Sequence, residues 1–205
     1  DFKNLKRILI TFFSLPILEF FKILIKVYKN KNLKVFENYL IKNKIKFYYS
    51  NELDPKDIQK ILKKNKIKDI LSVINSKIFK KKHFKKYNIY NLHLGQIPNY
   101  KGIVPVINAI IRKEKIFYSS IFLISFKGID TGKLIIENSV MKKNSKNIFN
   151  LYTKLYKVGF KDMFNLSKKI LMNKKIKILR TVQKRDGNYF KYPKLINIIN
   201  ISKYF

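Results

Sequence analysis

Hydrophobic positions along this chain alternate between a helical rhythm of about 3.6 residues and short unbroken apolar runs, the patterns of helices with one buried face and of buried strands. Between Leu33 and Asn43 the residues Val35, Phe36, Tyr39, Leu40 and Ile41 follow the helical rhythm, and the β-prone run Ile45 to Tyr49 comes next. Asp54-Pro55-Lys56-Asp57 reads as a helix start, with Asp54 as N-cap and proline in the first turn; Ile58, Ile61 and Leu62 form the inward face up to Lys64. Ile70 to Ile74 and Ile89 to Leu92 are runs of the buried-strand type. Strands alternating with helices predict an α/β fold: an open, mostly parallel, Rossmann-like sheet with helices on both faces.

After Leu92 comes a loop with Gly95, Pro98 and Gly102, then a helix expected from Pro105 to Arg112. Two β-prone runs, Tyr118 to Phe126 and Lys133 to Ser139, flank Lys127-Gly128-Ile129-Asp130-Thr131-Gly132. A long amphipathic helix is expected from about Lys146 to Leu171, with Ile148, Leu151, Leu155, Val158, Phe164 and Leu166 facing inward. The remainder is Lys-rich and β-prone in patches, with a turn at Asp186-Gly187. With no linker and no internal repeat, residues 1–172 are expected to form one domain and 173–205 a short C-terminal extension.

The chain opens without the strand and glycine turn that usually begin an α/β domain; a helix marked by Ser14 and Pro16 stands there, so the first βαβ unit is expected to be missing. The stretch Ile8 to Tyr28 is apolar, but Pro16, Glu19, Lys22 and Lys26 interrupt it. No uncharged run reaches the roughly 18 to 20 residues of a spanning helix, and no small-residue cleavage site follows. The three charges fall on one side at helical spacing, which predicts a helix packed on the sheet and no stable membrane insertion.

Composition adds two constraints. The chain has no cysteine, which removes disulfides, thiolate nucleophiles and Cys-type zinc sites and fits a reducing, cytoplasmic setting. Its 205 residues carry 46 Lys and Arg against 12 Asp and Glu, a formal charge of +34. Such a charge suits a polyanion partner through counterion release. It equally suits compositional drift, because Lys, Ile, Asn, Phe and Tyr are abundant together while Gly and Trp are scarce. Apolar residues at 46% and aromatics at 15% exceed what a disordered chain carries.

Candidate chemistry begins at Asn91-Leu92-His93. Alternate residues of a strand share a face, so Asn91 and His93 project together, and they do so at a strand's C-terminal end, where ligands of open α/β sheets bind. Taken alone, the pair could simply tie down the following loop. His83, in a Lys-rich segment, reads as a solvated surface residue.

The run Asn91-Leu92-His93-Leu94-Gly95-Gln96-Ile97-Pro98-Asn99-Tyr100-Lys101-Gly102-Ile103-Val104-Pro105 resembles the signature of the folate-dependent formyltransferases, in which Asn-x-His leads into a proline-containing loop, then Tyr-Arg/Lys-Gly and a proline. Further on, Gly128-Ile129-Asp130-Thr131-Gly132 is similar to that family's Gly-Leu/Ile-Asp-Thr-Gly loop. The resemblance covers about Lys44 to Val140 and continues weakly through the long helix. It departs from the pattern at Leu94-Gly95-Gln96-Ile97-Pro98, where a Ser-Leu-Leu-Pro-like stretch is usual.

The resemblance implies transfer of a formyl group from 10-formyltetrahydrofolate to a primary amine, with Asn91, His93 and Asp130 at the reaction centre. It implies that Asn91 and His93 donate hydrogen bonds to the formyl oxygen and that Asp130 moves a proton directly or through water. Neither a metal nor a covalent enzyme intermediate is required. Ile97, Pro98, Gly128, Ile129, Gly132 and Leu134 are the implied folate neighbours, largely through backbone groups. Gly128 and Gly132 are expected to hold the Asp130 loop through positive φ. The implied acceptor is initiator methionyl-tRNA or, alternatively, a nucleotide-linked amino sugar. The latter gains from the short segment after the long helix, where the tRNA enzyme carries a further β-barrel domain. A non-catalytic or basic RNA-binding relative is the reading of another class.

Overall fold

A computed structural model describes residues 38, 40–46, 55–73, 78–194, 201 and 204. In chain order, helix α1 (Pro55–Lys64) leads into strand β1 (Asp69–Val73), the single turn α2 (Lys81–Phe84), β2 (Asn88–His93), the two-residue β3 (Lys101–Gly102) and α3 (Pro105–Ile111). Strands β4 (Ile116–Ile124) and β5 (Gly132–Met141), a 3₁₀ turn over Lys142–Asn144, the long helix α4 (Ile148–Leu171), β6 (Arg180–Val182) and β7 (Tyr189–Phe190) follow. The α/β class and most of the expected elements are present, with boundaries moved by a residue or two. Residues 38 and 40–42 are helical, but the rest of the helix expected to span Leu33 to Asn43, the opening helix, most of the run to Tyr49 and the Asp54 cap lie outside the described residues.

Among the described residues the open sheet has five strands in the order β1-β2-β4-β5-β6. Its parallel pairing is β1 with β2, and the three ladders beyond β2 are antiparallel. The short connection between β4 and β5 leaves no room for the crossover that parallel pairing needs. Helices cover both faces. On one, Tyr90 and Leu92 of β2 and Phe117 and Ile121 of β4 pack with Val106 and Ile110 of α3 and Leu151 and Leu155 of α4. On the other, Ile89 and Ile70 pack with Phe84 of α2 and with Ile58 and Leu62 of α1.

Helix α4 begins at Ile148, where the Asn147 side chain accepts a hydrogen bond from the Asn150 amide at 2.9 Å. Its buried line is Ile148, Leu151, Leu155, Gly159, Met163 and Leu166. Phe164, expected on that line, is 60% exposed. It follows Met163 by one residue and is therefore rotated about 100° away from the sheet. Val158 is partly covered.

The segment after α4 returns to the sheet. β6 pairs with β5 as an edge strand, and beyond the turn around Asp186 and Gly187, β7 pairs in parallel with β3 in the loop that follows β2.

Candidate functional site

Strand alternation places Ile89, Asn91 and His93 on one face of β2 and Tyr90 and Leu92 on the other. Parallel registry sets Ser72 of β1 beside Asn91. The buried Ser72 hydroxyl donates to Asn91 Oδ1 at 2.9 Å. That occupies the oxygen and leaves the amide nitrogen, which can only donate, for a ligand.

His93 is 7% exposed, and its Nε2 lies 2.7 Å from the Tyr100 carbonyl oxygen. A carbonyl only accepts, so Nε2 carries a proton and Nδ1 is the nitrogen turned toward Asp130. The separation from Nδ1 to Asp130 Oδ2 is 3.7 Å, beyond a direct hydrogen bond and short enough for one reacting group or water to touch both. Asp130 itself sits in the left-handed region at φ 51°, which aspartate tolerates, and its Oδ2 accepts from the Gly102 amide at 2.6 Å. Residues 93 and 130, nearly forty positions apart in sequence, thus come together at the C-terminal end of β2, with Asn91 on the same face of that strand.

The loop after His93 is held from beneath. A bulge in β5 at Ile135 shifts the register between Ile121 and Phe122 of β4 and reverses the parity of the strand. Leu134 and Glu137 consequently face the same side, and Glu137 comes opposite Ser120. The Glu137 carboxylate accepts from the Ile97 amide and the Ser120 hydroxyl, each at 3.2 Å, and from Arg180 at 3.1 Å on both oxygens. Arg180 also donates to the Ile97 carbonyl, and Ser120 to that of Gly95 at 2.7 Å. Gly95 has no room for a side chain: a Cβ there would lie 2.7 Å from Pro105 and 2.8 Å from His93 Nε2.

The remaining expected site residues divide. Pro98, after a cis Ile97–Pro98 bond, and Gly128 are half-buried, and Ile129 is exposed at the loop's surface. The side chains of Ile97 and Leu134 are buried in a cluster with Phe122 and Val182. Positive φ occurs at Gly132 and at Asp130, but Gly128 does not share it as expected. Gly128 is instead fixed by its carbonyl, which accepts from the Thr131 hydroxyl at 2.9 Å. His83 is half-buried, edge-on to Phe84, and takes no part in the cluster.

Several supporting groups were not anticipated from sequence. Ser72 had a signal, as the sole polar residue of Ile70 to Ile74, and Glu137 was a lone acid in a β-prone run. The Tyr100 carbonyl and Gly102 amide had none, because backbone groups carry no sequence mark. Tyr100 itself stays firmly neutral: burial and a 2.6 Å hydrogen bond to Glu114 push its hydroxyl up to about 12. Among the described residues no cluster of metal-ligating side chains occurs, and no helix is long and apolar enough to cross a membrane.

No family model matches the chain. A methionyl-tRNA formyltransferase of Endomicrobium trichonymphae is 33% identical over 130 residues, covering 62% of this chain and 40% of that protein. The chain spans less than half the length of the curated relatives it matches. Among solved structures, a 4-N formyltransferase from Francisella tularensis superposes with TM-score 0.58 at 24% identity, covering 78% of this chain and 62% of that one. The formyltransferase PseJ from Anoxybacillus kamchatkensis, in complex with UDP-4,6-dideoxy-4-formamido-L-AltNAc and tetrahydrofolate, gives 0.55 at 23% identity, covering 69% and 71%.

Proposed function

We propose that the chain is a folate-dependent formyltransferase, which its similarity to methionyl-tRNA formyltransferases and to formyltransferase structures supports, and that it transfers a formyl group from 10-formyltetrahydrofolate to a primary amine. The observation that carries this reading is the approach of the Asp130 carboxylate to the His93 imidazole at the C-terminal end of β2, with the Asn91 amide on the same strand face. When the amine attacks the formyl carbon, negative charge grows on the formyl oxygen. A donor fixed in advance lowers that barrier without reorganising at the moment of reaction. Asn91 is such a donor, held by Ser72, and His93 adds a second through Nδ1 when its ring is protonated. As the new C–N bond forms and the bond to the folate nitrogen breaks, the amine loses a proton and the departing nitrogen gains one. Asp130, within one bridging group of His93, carries that proton. Ile97, Pro98, Gly128, Ile129, Gly132 and Leu134 border the folate, largely through backbone groups.

We take the acceptor to be methionyl-tRNA, which the names of the sequence relatives favour and a +34 chain would suit. A nucleotide-linked amino sugar is the second reading, favoured by the sugar product named with one of the structural neighbours.

Full-length protein incubated with 10-formyltetrahydrofolate and, separately, charged initiator tRNA and amino-sugar nucleotides tests both. Formylation of one acceptor, abolished in Asp130→Asn with the fold intact, is the expected result. Turnover retained in that variant overturns the mechanism, and folate binding without transfer to any amine overturns the reaction.

A further inference from the structure

Three consecutive residues each hold something different. The Tyr100 carbonyl accepts a hydrogen bond from His93 Nε2 at 2.7 Å, and the Gly102 amide donates to Asp130 Oδ2 at 2.6 Å. Between them, Lys101 is only 3% exposed, and its side chain reaches the turn between β6 and β7. Its ammonium donates to the carbonyls of Lys184 at 3.0 Å and Gln183 at 3.4 Å, in the turn between β6 and β7. A buried ammonium is costly unless its protons are accepted, so this contact fixes where the turn sits.

The turn is shaped for the purpose. Asp186 Oδ2 accepts from the Gln183 amide at 2.7 Å, and Gly187 packs so closely on Pro98 that a Cβ would run into its carbonyl. Backbone pairing continues the join: the Lys101 amide donates to Asn188 at 3.0 Å and the Ile103 amide to Phe190 at 2.9 Å. Residues 100–102 are therefore a bracket with the imidazole and carboxylate on its front and the C-terminal segment at its back.

We propose that Lys101 is a positioning residue, which, by tying this bracket to the 183–187 turn, sets the separation between the His93 imidazole and the Asp130 carboxylate. The segment after β6 is then part of what makes the site work, although none of it touches the reacting atoms. The kinetic consequence rests on the formyl-transfer reading, and the structural consequence does not.

Lys101→Met in the full chain is the test, because an apolar residue of similar volume can replace a buried charge without unfolding a protein. Amide exchange at Gly102 and across 183–190 should quicken together by about ten-fold or more, as local opening becomes easier. Formyl transfer should lose roughly ten-fold or more in kcat with KM nearly unchanged, since displacing reacting groups by an ångström costs that order. The pH profile of kcat should also move, which a merely structural lysine would not cause. Asp186→Ala, at the half-exposed turn, should give the same signature more weakly, and it carries the test if Lys101→Met does not fold. Unchanged Gly102 exchange and an unchanged pH profile in the folded variant overturn the proposal. If the parent transfers no formyl group, the proposed reaction falls, while the exchange comparison alone still decides the bracket.

Discussion

The two faces of β2 and β4 are built from the same strands and solve opposite problems. Toward α3 and α4, Tyr90, Leu92, Phe117 and Ile121 meet Leu151 and Leu155 in an apolar layer whose cohesion comes from area removed from water. On the opposite face, at the end of β2, Asn91, His93, Ser120 and Glu137 are polar groups wholly or partly withdrawn from water, each tied to a named partner. The first face tolerates small adjustments because dispersion and burial are non-directional. The second does not, because a buried polar group that loses its partner bears its full desolvation cost. Strand parity thus separates the apolar layer from the candidate site.

That separation can be broken by exchanging the consequences. Leu155→Ala, at a fully buried position, should cost about 2–5 kcal/mol in denaturant unfolding through lost transfer energy and a cavity. Turnover per folded molecule should hardly change. Asn91→Ala should do the reverse, lowering kcat roughly 10²–10³-fold with an unfolding midpoint near that of the parent. A large drop in both quantities for either variant would dissolve the distinction.

Ser72→Ala sharpens it further. One neutral hydrogen bond is worth about 1 kcal/mol, so loss of the hydroxyl that orients Asn91 should lower kcat about five-fold. Combined with Asn91→Ala it should add nothing, because the two act as a unit. Additive losses in that double variant would mean Ser72 works some other way.

The smallest expected effect concerns Tyr100, which joins the two faces: its ring lies in the apolar layer and its carbonyl holds His93. Its hydroxyl is raised from 10.0 to about 12, chiefly by burial and then by Glu114. The folded state therefore keeps the proton longer than the unfolded chain. The associated stability is fully present below about pH 10 and is lost as pH rises through about 12. Unfolding followed by denaturant between those values should show this decline, and Tyr100→Phe should flatten it.

Much of this molecule was legible in one dimension. The runs at Ile70 and Ile89, the proline-led helix at Pro105 and the rhythm of α4 give local order, because periodicity in a strand or helix is a property of neighbouring residues. The shared face of Asn91 and His93 was visible for the same reason, and the motif around Asp130 supplied the third candidate. Tertiary structure alone decided that Asp130 lies 3.7 Å from His93, that a bulge at Ile135 turns Glu137 under the loop, and that the last strands return to brace Lys101. Those outcomes depend on register and on backbone donors and acceptors, which every residue type carries alike, so no pattern of side chains along the chain could announce them.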